Sequence, residues 1–291
     1  MEANIRNINP PDYPDKLLGL ELPPFISDFL NRDLEFIENK LHYLFFYWDY
    51  EGHEKEGKIK LFSANIRMAL EKIFEKLDLD NYGHLKENLL NNVSKLVDDK
   101  DLSIIAALEI KVKELLYKLE KSGKEESKKQ VIGKINSLVK EFEWLLEFKE
   151  KIKSAGYYNI LFVAYRIYES QDLNGKHPDE INDMVESIKD KNERETARII
   201  ANWISKYYIT GYATKLFELF ISRLTKNLDG LDGLEEQKFN PCLNNEELKK
   251  AFEIAHILDK KRRQNDYKRI KELGGNVKIV RFGNFIMCEV N

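Results

Sequence analysis

Between Phe25 and His177 the chain contains no proline, and its apolar residues recur at three- and four-residue steps. That spacing lines one face of an α-helix, and the missing proline lets the helices run long. A first helix is predicted from about Ser27 to Tyr50, entered through Pro23 and Pro24. It has Phe29, Leu30, Leu34, Ile37, Leu41, Leu44 and Phe45 on one side. Glu51 to Lys58, with Gly52 and Gly57, reads as a charged turn. The stripe Ile59, Phe62, Ile66, Ala69, Ile73, Leu77 marks a second helix, and Leu89, Val93 and Leu96 a shorter one from Leu85 to Val97. Asp99 or Asp101 is placed to cap the next, Leu102 to Glu120. Two more follow, Val131 to Lys153 and Ala155 to Ser170. The latter is apolar on most sides and so is expected at the centre of the core. Pro178 suits the first position of a helix reaching Ile188. Asp190 or Asn192 opens another, with Ala197, Ile200, Trp203, Ile204 and Tyr207 inward. A further helix spans Tyr212 to Leu228, and the last begins at Asn245.

After that last helix the period changes. Gly274-Gly275 stops it, Val277 to Phe282 alternate as a strand would, and Gly283-Asn284 suits a two-residue turn returning through Phe285 to Val290. The expected fold is therefore all-α, a multi-helix bundle of long amphipathic helices with a small C-terminal β-hairpin. A helix followed by a hairpin is the layout of a winged helix's last helix and wing. Three regions are expected. Residues 1–24 hold five of the seven prolines and form an extended arm. Residues 25–228 form the helical body. The loop from Asp229, with Gly230, Gly233 and Pro241, then separates the body from a tail element over residues 244–291.

Charge singles out that tail. Lys260, Lys261, Arg262, Arg263, Lys268, Arg269, Lys271, Lys278 and Arg281 face only Asp266 and Glu272 within the same stretch, while the whole chain carries a net −3. Clustered cations gain free energy by displacing the counterions condensed on a phosphate backbone, so these nine residues are the candidate nucleic-acid contacts. A solvated helix face is the competing reading, because charge runs on helices commonly serve only solubility. An alternative function is a protein-binding adaptor without nucleic-acid contact. It would dock a partner through the N-terminal arm and the aromatic helix end, Tyr43, Phe46, Tyr47 and Trp48.

Composition narrows the classes further. Hydrophobic residues make up 43% of the chain, which argues against disorder, and charged residues 33%, with two Cys and four Met, a thermophile-like lean. Cys242 and Cys288 are too few for a disulfide framework or a zinc pair, so a reducing cytoplasm is expected. The N-terminus has no apolar signal core. The apolar runs Tyr43 to Trp48 and Ile160 to Tyr165 fall far short of the roughly 20 residues of a membrane span. No membrane partner is expected, whereas a protein partner is.

Catalytic and metal patterns fail on spacing. His53 precedes Glu54, but the position where a zinc-protease helix needs its second histidine is Gly57. Asp98, Asp99 and Asp101 have the look of an aspartate-rich magnesium site but lack a matching second site, and capping accounts for them. His256 and Asp259 lie one turn apart and can tune the imidazole as a hydrogen-bonded pair. No serine or cysteine stands in a nucleophile elbow, and no glycine-rich phosphate loop follows a strand. Tyr157, Tyr158, Tyr165, Tyr168, Tyr207, Tyr208 and Tyr212 share apolar neighbours at helical spacing and are expected in helix packing rather than base stacking. The expectation is a non-enzymatic helical scaffold with no cofactor and no metal, a subunit of a larger nucleic-acid-processing or defence assembly.

Overall fold

The computed structural model describes residues 14–45, 52–78, scattered positions between 83 and 94, 101–121, 128–170, 178–207, 211–226, 243–272, 277–282 and 285–290. Among the described residues up to 272, all regular structure is helical, in ten helices. These are α1 (Pro24–Leu30), α2 (Leu34–Phe45), α3 (Gly52–Lys76), α4 (Leu102–Lys121), α5 (Lys128–Ser154), α6 (Tyr158–Glu169), α7 (Pro178–Glu186), α8 (Lys191–Tyr207), α9 (Gly211–Thr225) and α10 (Asn245–Glu272). The fold is an all-α multi-helix bundle. No helix among the described residues is long and apolar enough to cross a membrane.

Local chemistry sets the helix boundaries. Asp101 caps α4, its Oδ1 accepting the Ile104 amide at 3.0 Å, and Asp190 caps α8 through the Glu193 amide at 2.8 Å. Gly156, at φ +72°, ends α5. The Tyr157 amide there donates back to the Ile152 carbonyl at 2.7 Å and the Gly156 amide to Lys153 at 2.9 Å. That double bond pattern needs a left-handed residue, hence glycine.

The helix expected from Ala155 starts only at Tyr158, after the Gly156 turn, and two other boundaries differ more from the sequence expectation. The single helix expected over 27–50 is broken at Asn31–Asp33, where the Asp33 carboxylate accepts the Phe36 amide at 2.8 Å and starts α2 afresh. An aspartate inside an amphipathic stripe can supply a new cap as readily as it can face water. The turn expected over 51–58 is instead the first part of α3, which begins at Gly52. Glu54 lies four residues before Lys58, a favourable helical pair, and the solvent-exposed Gly57 costs only about 1 kcal/mol there. Most of the short helix expected over 85–97 lies outside the described residues.

By its contacts the chain divides into two units, Met1–Ile37 with Asn159–Asn291, and Glu38–Tyr158. In the second unit α3 and α4 form the most extensive helix pair. Phe74, Leu70, Ile105, Leu108, Phe142 and Ile152 lie in its core. Its buried charges are paired: Lys40 with Glu141, Lys149 with Asp101, and Glu109 with Lys113 and the Asn65 amide. Asp101 therefore serves as cap and ion-pair partner together. In the first unit α6 is buried almost throughout, Ile160 to Tyr165 without exception, as its apolar surround predicts. α10 runs through the same unit.

Candidate functional site

α10 opens with a reciprocal cap. The Asn244 side chain accepts the Glu247 amide at 3.0 Å, and Glu247 accepts the Asn244 amide at 2.8 Å. Its first half is then buried all round. Leu248, Ala251, Phe252, Ile254, Ala255 and Leu258 have no exposed surface, and Trp203 and Phe217 meet the Phe252 ring edge-on, each at 6.5 Å. Three polar residues in the same stretch, Glu253, His256 and Asp259, are equally inaccessible. They follow one another at three-residue steps, so they climb one side of the helix.

Groups buried so deeply need partners, and most of these come from the N-terminal arm. The two Glu253 oxygens accept the amides of Leu17 and Leu18 at 3.0 and 2.6 Å. His256 Nε2 lies 2.9 Å from the Pro14 carbonyl, which only accepts, so Nε2 carries the proton. One turn further on Lys260 pairs with Asp15 and holds its carboxyl below the usual range. The arm segment Pro14–Leu18 is therefore laid along α10 and held by its polar side. Burial raises the Glu253 pKa, with the Leu18 and Leu17 amides and Lys16 opposing. Burial also lowers that of His256, against the Pro14 bond and the Asp259 charge, while Lys260 adds to the lowering. His256 is neutral near pH 7.

The expected pairing of His256 with Asp259 thus exists as an electrostatic influence within a larger set. Asp259 accepts Arg262 Nη2 at 2.7 Å and Arg263 Nε at 3.0 Å. The Arg262 guanidinium also lies 5.0 Å from the Tyr168 ring centroid. Lys261 donates to the Arg32 carbonyl at 3.0 Å; burial lowers its pKa, and Asp33 opposes that shift.

The nine cations therefore fall into groups. Lys260, Lys261, Arg262 and Arg263 are half-buried, each engaged within the first unit. Past them Gln264, Asn265 and Asp266 are exposed, as are Lys268 and Arg269. Lys268 approaches Glu272 at 3.9 Å with both side chains largely in water, a contact worth little. The side chains of Lys271, Lys278 and Arg281 lie outside the described residues. Of the aromatic set, Tyr43 is buried in the second unit and stacks on Phe142 at 5.7 Å with Lys40 over its ring, whereas Phe46, Tyr47 and Trp48 lie outside the described residues. Among the described residues no group of three or more His, Cys, Asp or Glu is placed to hold a metal ion.

Sequence reasoning missed Glu253, the placing of Arg262 over the Tyr168 ring and the seating of the arm. The one local signal was the i, i+3, i+6 spacing of Glu253, His256 and Asp259 inside an otherwise apolar row. No family model, curated protein or solved structure matches this chain.

Proposed function

We propose that this protein is a non-enzymatic helical scaffold that contacts nucleic acid through the C-terminal part of α10 and the tail beyond it, as a subunit of a larger nucleic-acid-processing or defence assembly. The observation that carries the reading is the change of character along one helix. α10 is a buried rod as far as Asp259, becomes half-buried over four consecutive cations, and is exposed and cationic at Lys268 and Arg269. A rigid helix anchored at one end presents the other at a fixed angle, and cations without strong local carboxylates are the ones able to displace counterions from phosphates.

The tail belongs to the same proposal. In it, a hairpin of Val277–Phe282 with Phe285–Val290 would carry Lys278 and Arg281 as assisting phosphate contacts, one from each of its faces. Contacts of this kind position a protein on a backbone without reading its sequence.

Fluorescence anisotropy with labelled mixed-sequence duplexes of DNA and of RNA tests the reading. Arg269→Ala and Lys268→Ala should each weaken binding by a similar factor whatever the sequence of the duplex. Wild-type protein that binds neither duplex at low salt, or variants that bind as well as wild type, would refute it.

A further inference from the structure

A single exposed leucine on a helix needs no explanation, but large apolar side chains left open in rows along two packed helices do. Among the described residues, four of the six exposed large hydrophobic side chains belong to α3 and α4: Leu61, Met68, Ile110 and Tyr117, each between 46% and 56% exposed. Leu61 and Met68 are seven residues apart, as are Ile110 and Tyr117, so each pair lies on one side of its helix. Ala64, exposed between Leu61 and Met68, extends the first row.

The two rows border one seam. Asn65 Nδ2 donates to Glu109 Oε1 at 2.6 Å, and Lys76 lies 3.8 Å from Glu120. Asn65 and Lys76 are eleven residues apart, as are Glu109 and Glu120, so α3 and α4 run parallel and in step over about 16 Å. Asn65 stands four residues after Leu61 and three before Met68, and Tyr117 three before Glu120, so apolar side chains flank the seam on both helices. The polar groups along it are met within the unit, Glu109 by Asn65 and Lys113, and Glu120 by Lys76.

Charge decides what can lie there. From Lys60 to Lys72 the exposed charges of α3 are Lys60, Arg67, Glu71 and Lys72, and the three cations make no ion pair with any described residue. With Leu61 and Met68 at the a positions of a heptad, Lys60 and Arg67 take g, Lys72 takes e, and Glu71 ends the apolar row at d. A second copy of this face would set Arg67 against Lys72 if parallel, or Lys60 against Arg67 if antiparallel, so like charges meet in both directions.

We propose that the α3–α4 face binds an amphipathic helix of another protein, its apolar side on Leu61, Met68 and Tyr117 and its flanking carboxylates against Lys60, Arg67 and Lys72. This surface stands apart from the nucleic-acid reading, which concerns α10 in the other unit.

The test uses two labelled synthetic helical peptides with leucine at a and d, one carrying glutamate and the other lysine at every e and g, titrated with the full chain by fluorescence anisotropy. Neither peptide pairs with itself, because its own flanks repel. The chain is net −3, so unspecific attraction favours the lysine peptide. The proposal predicts the reverse, the glutamate peptide binding about tenfold more tightly. Lys60→Glu with Arg67→Glu should invert that preference, and Leu61→Ser with Met68→Ser should weaken the glutamate peptide about tenfold or more. All four positions are exposed, and circular dichroism checks that the variants keep their helix. The proposal is overturned if wild type binds neither peptide or both equally, if the charge reversal leaves the preference unchanged, or if the serine variant binds like wild type. A wild-type dimer in sedimentation that the serine variant dissociates would also overturn it, since a second copy would then hold the face.

Discussion

His256 sits neutral in the interior of the first unit, and replacing it with glutamine changes how stability depends on pH in a direction that its surroundings fix. Burial lowers its pKa below the ordinary 6.5, Lys260 adds to the lowering, and the Pro14 carbonyl and Asp259 oppose it. In the unfolded chain the same imidazole titrates near 6.5. Between that value and the lower folded one, the unfolded chain binds a proton that the folded chain refuses. Stability is therefore fully present above about pH 6.5 and is lost as pH falls, by up to about 1.36 kcal/mol per pH unit. Glutamine can still donate to the Pro14 carbonyl but does not titrate. Glu253 acts in the opposite sense: its pKa is raised, so the folded chain takes up that proton first, and stability is gained as pH falls from the raised value towards 4.5. Glu253 and the other four of the five histidines are present in both proteins and cancel in the difference. The assay is the urea midpoint of α10, read by hydrogen exchange of its peptides, for wild type and His256→Gln at about pH 7.5 and about pH 5.5. Wild type should lose more than the variant over that interval, by at most about 1.36 kcal/mol for the one pH unit below 6.5. Parallel losses in the two proteins would refute the reasoning.

Two further stability predictions follow from the packing and the backbone. Phe252→Ala should cost about 3–5 kcal/mol by urea unfolding, because the ring has no exposed surface and is met edge-on by Trp203 and Phe217; a cost below about 1 kcal/mol would show that α10 is not the rod of its unit. Gly156→Ala should cost about 1–2 kcal/mol through its positive φ alone, since an added Cβ meets no atom within 4 Å; thermal unfolding checks this, and an unchanged Tm would contradict it.

Much of this fold was legible because amphipathic spacing and capping are local. The stripe from Ile59 to Leu77, the mostly apolar α6, the proline at the start of α7 and the capping roles of Asp101 and Asp190 all follow from neighbours within a few residues. What escaped is non-local or balanced. Asp33 reads equally well as a solvent-facing residue or as a new cap, and only packing decides. The polar row of α10 is meaningful only once Pro14–Leu18 lies against it, more than two hundred residues away in sequence. For the candidate interface, the run of cations was plain in the sequence. That Lys260 to Arg263 are half-buried and engaged while Lys268 and Arg269 face water depends on where the body ends, which no local pattern encodes.

The salt dependence of duplex binding tests the central claim most directly. Log affinity plotted against log salt should fall with a slope of about −0.9 for each phosphate neutralised, giving a slope of several for wild type and one shallower by about one for Arg269→Ala. A wild-type affinity that does not change with salt, or an Arg269→Ala slope equal to that of wild type, would contradict a nucleic-acid interface on the end of α10.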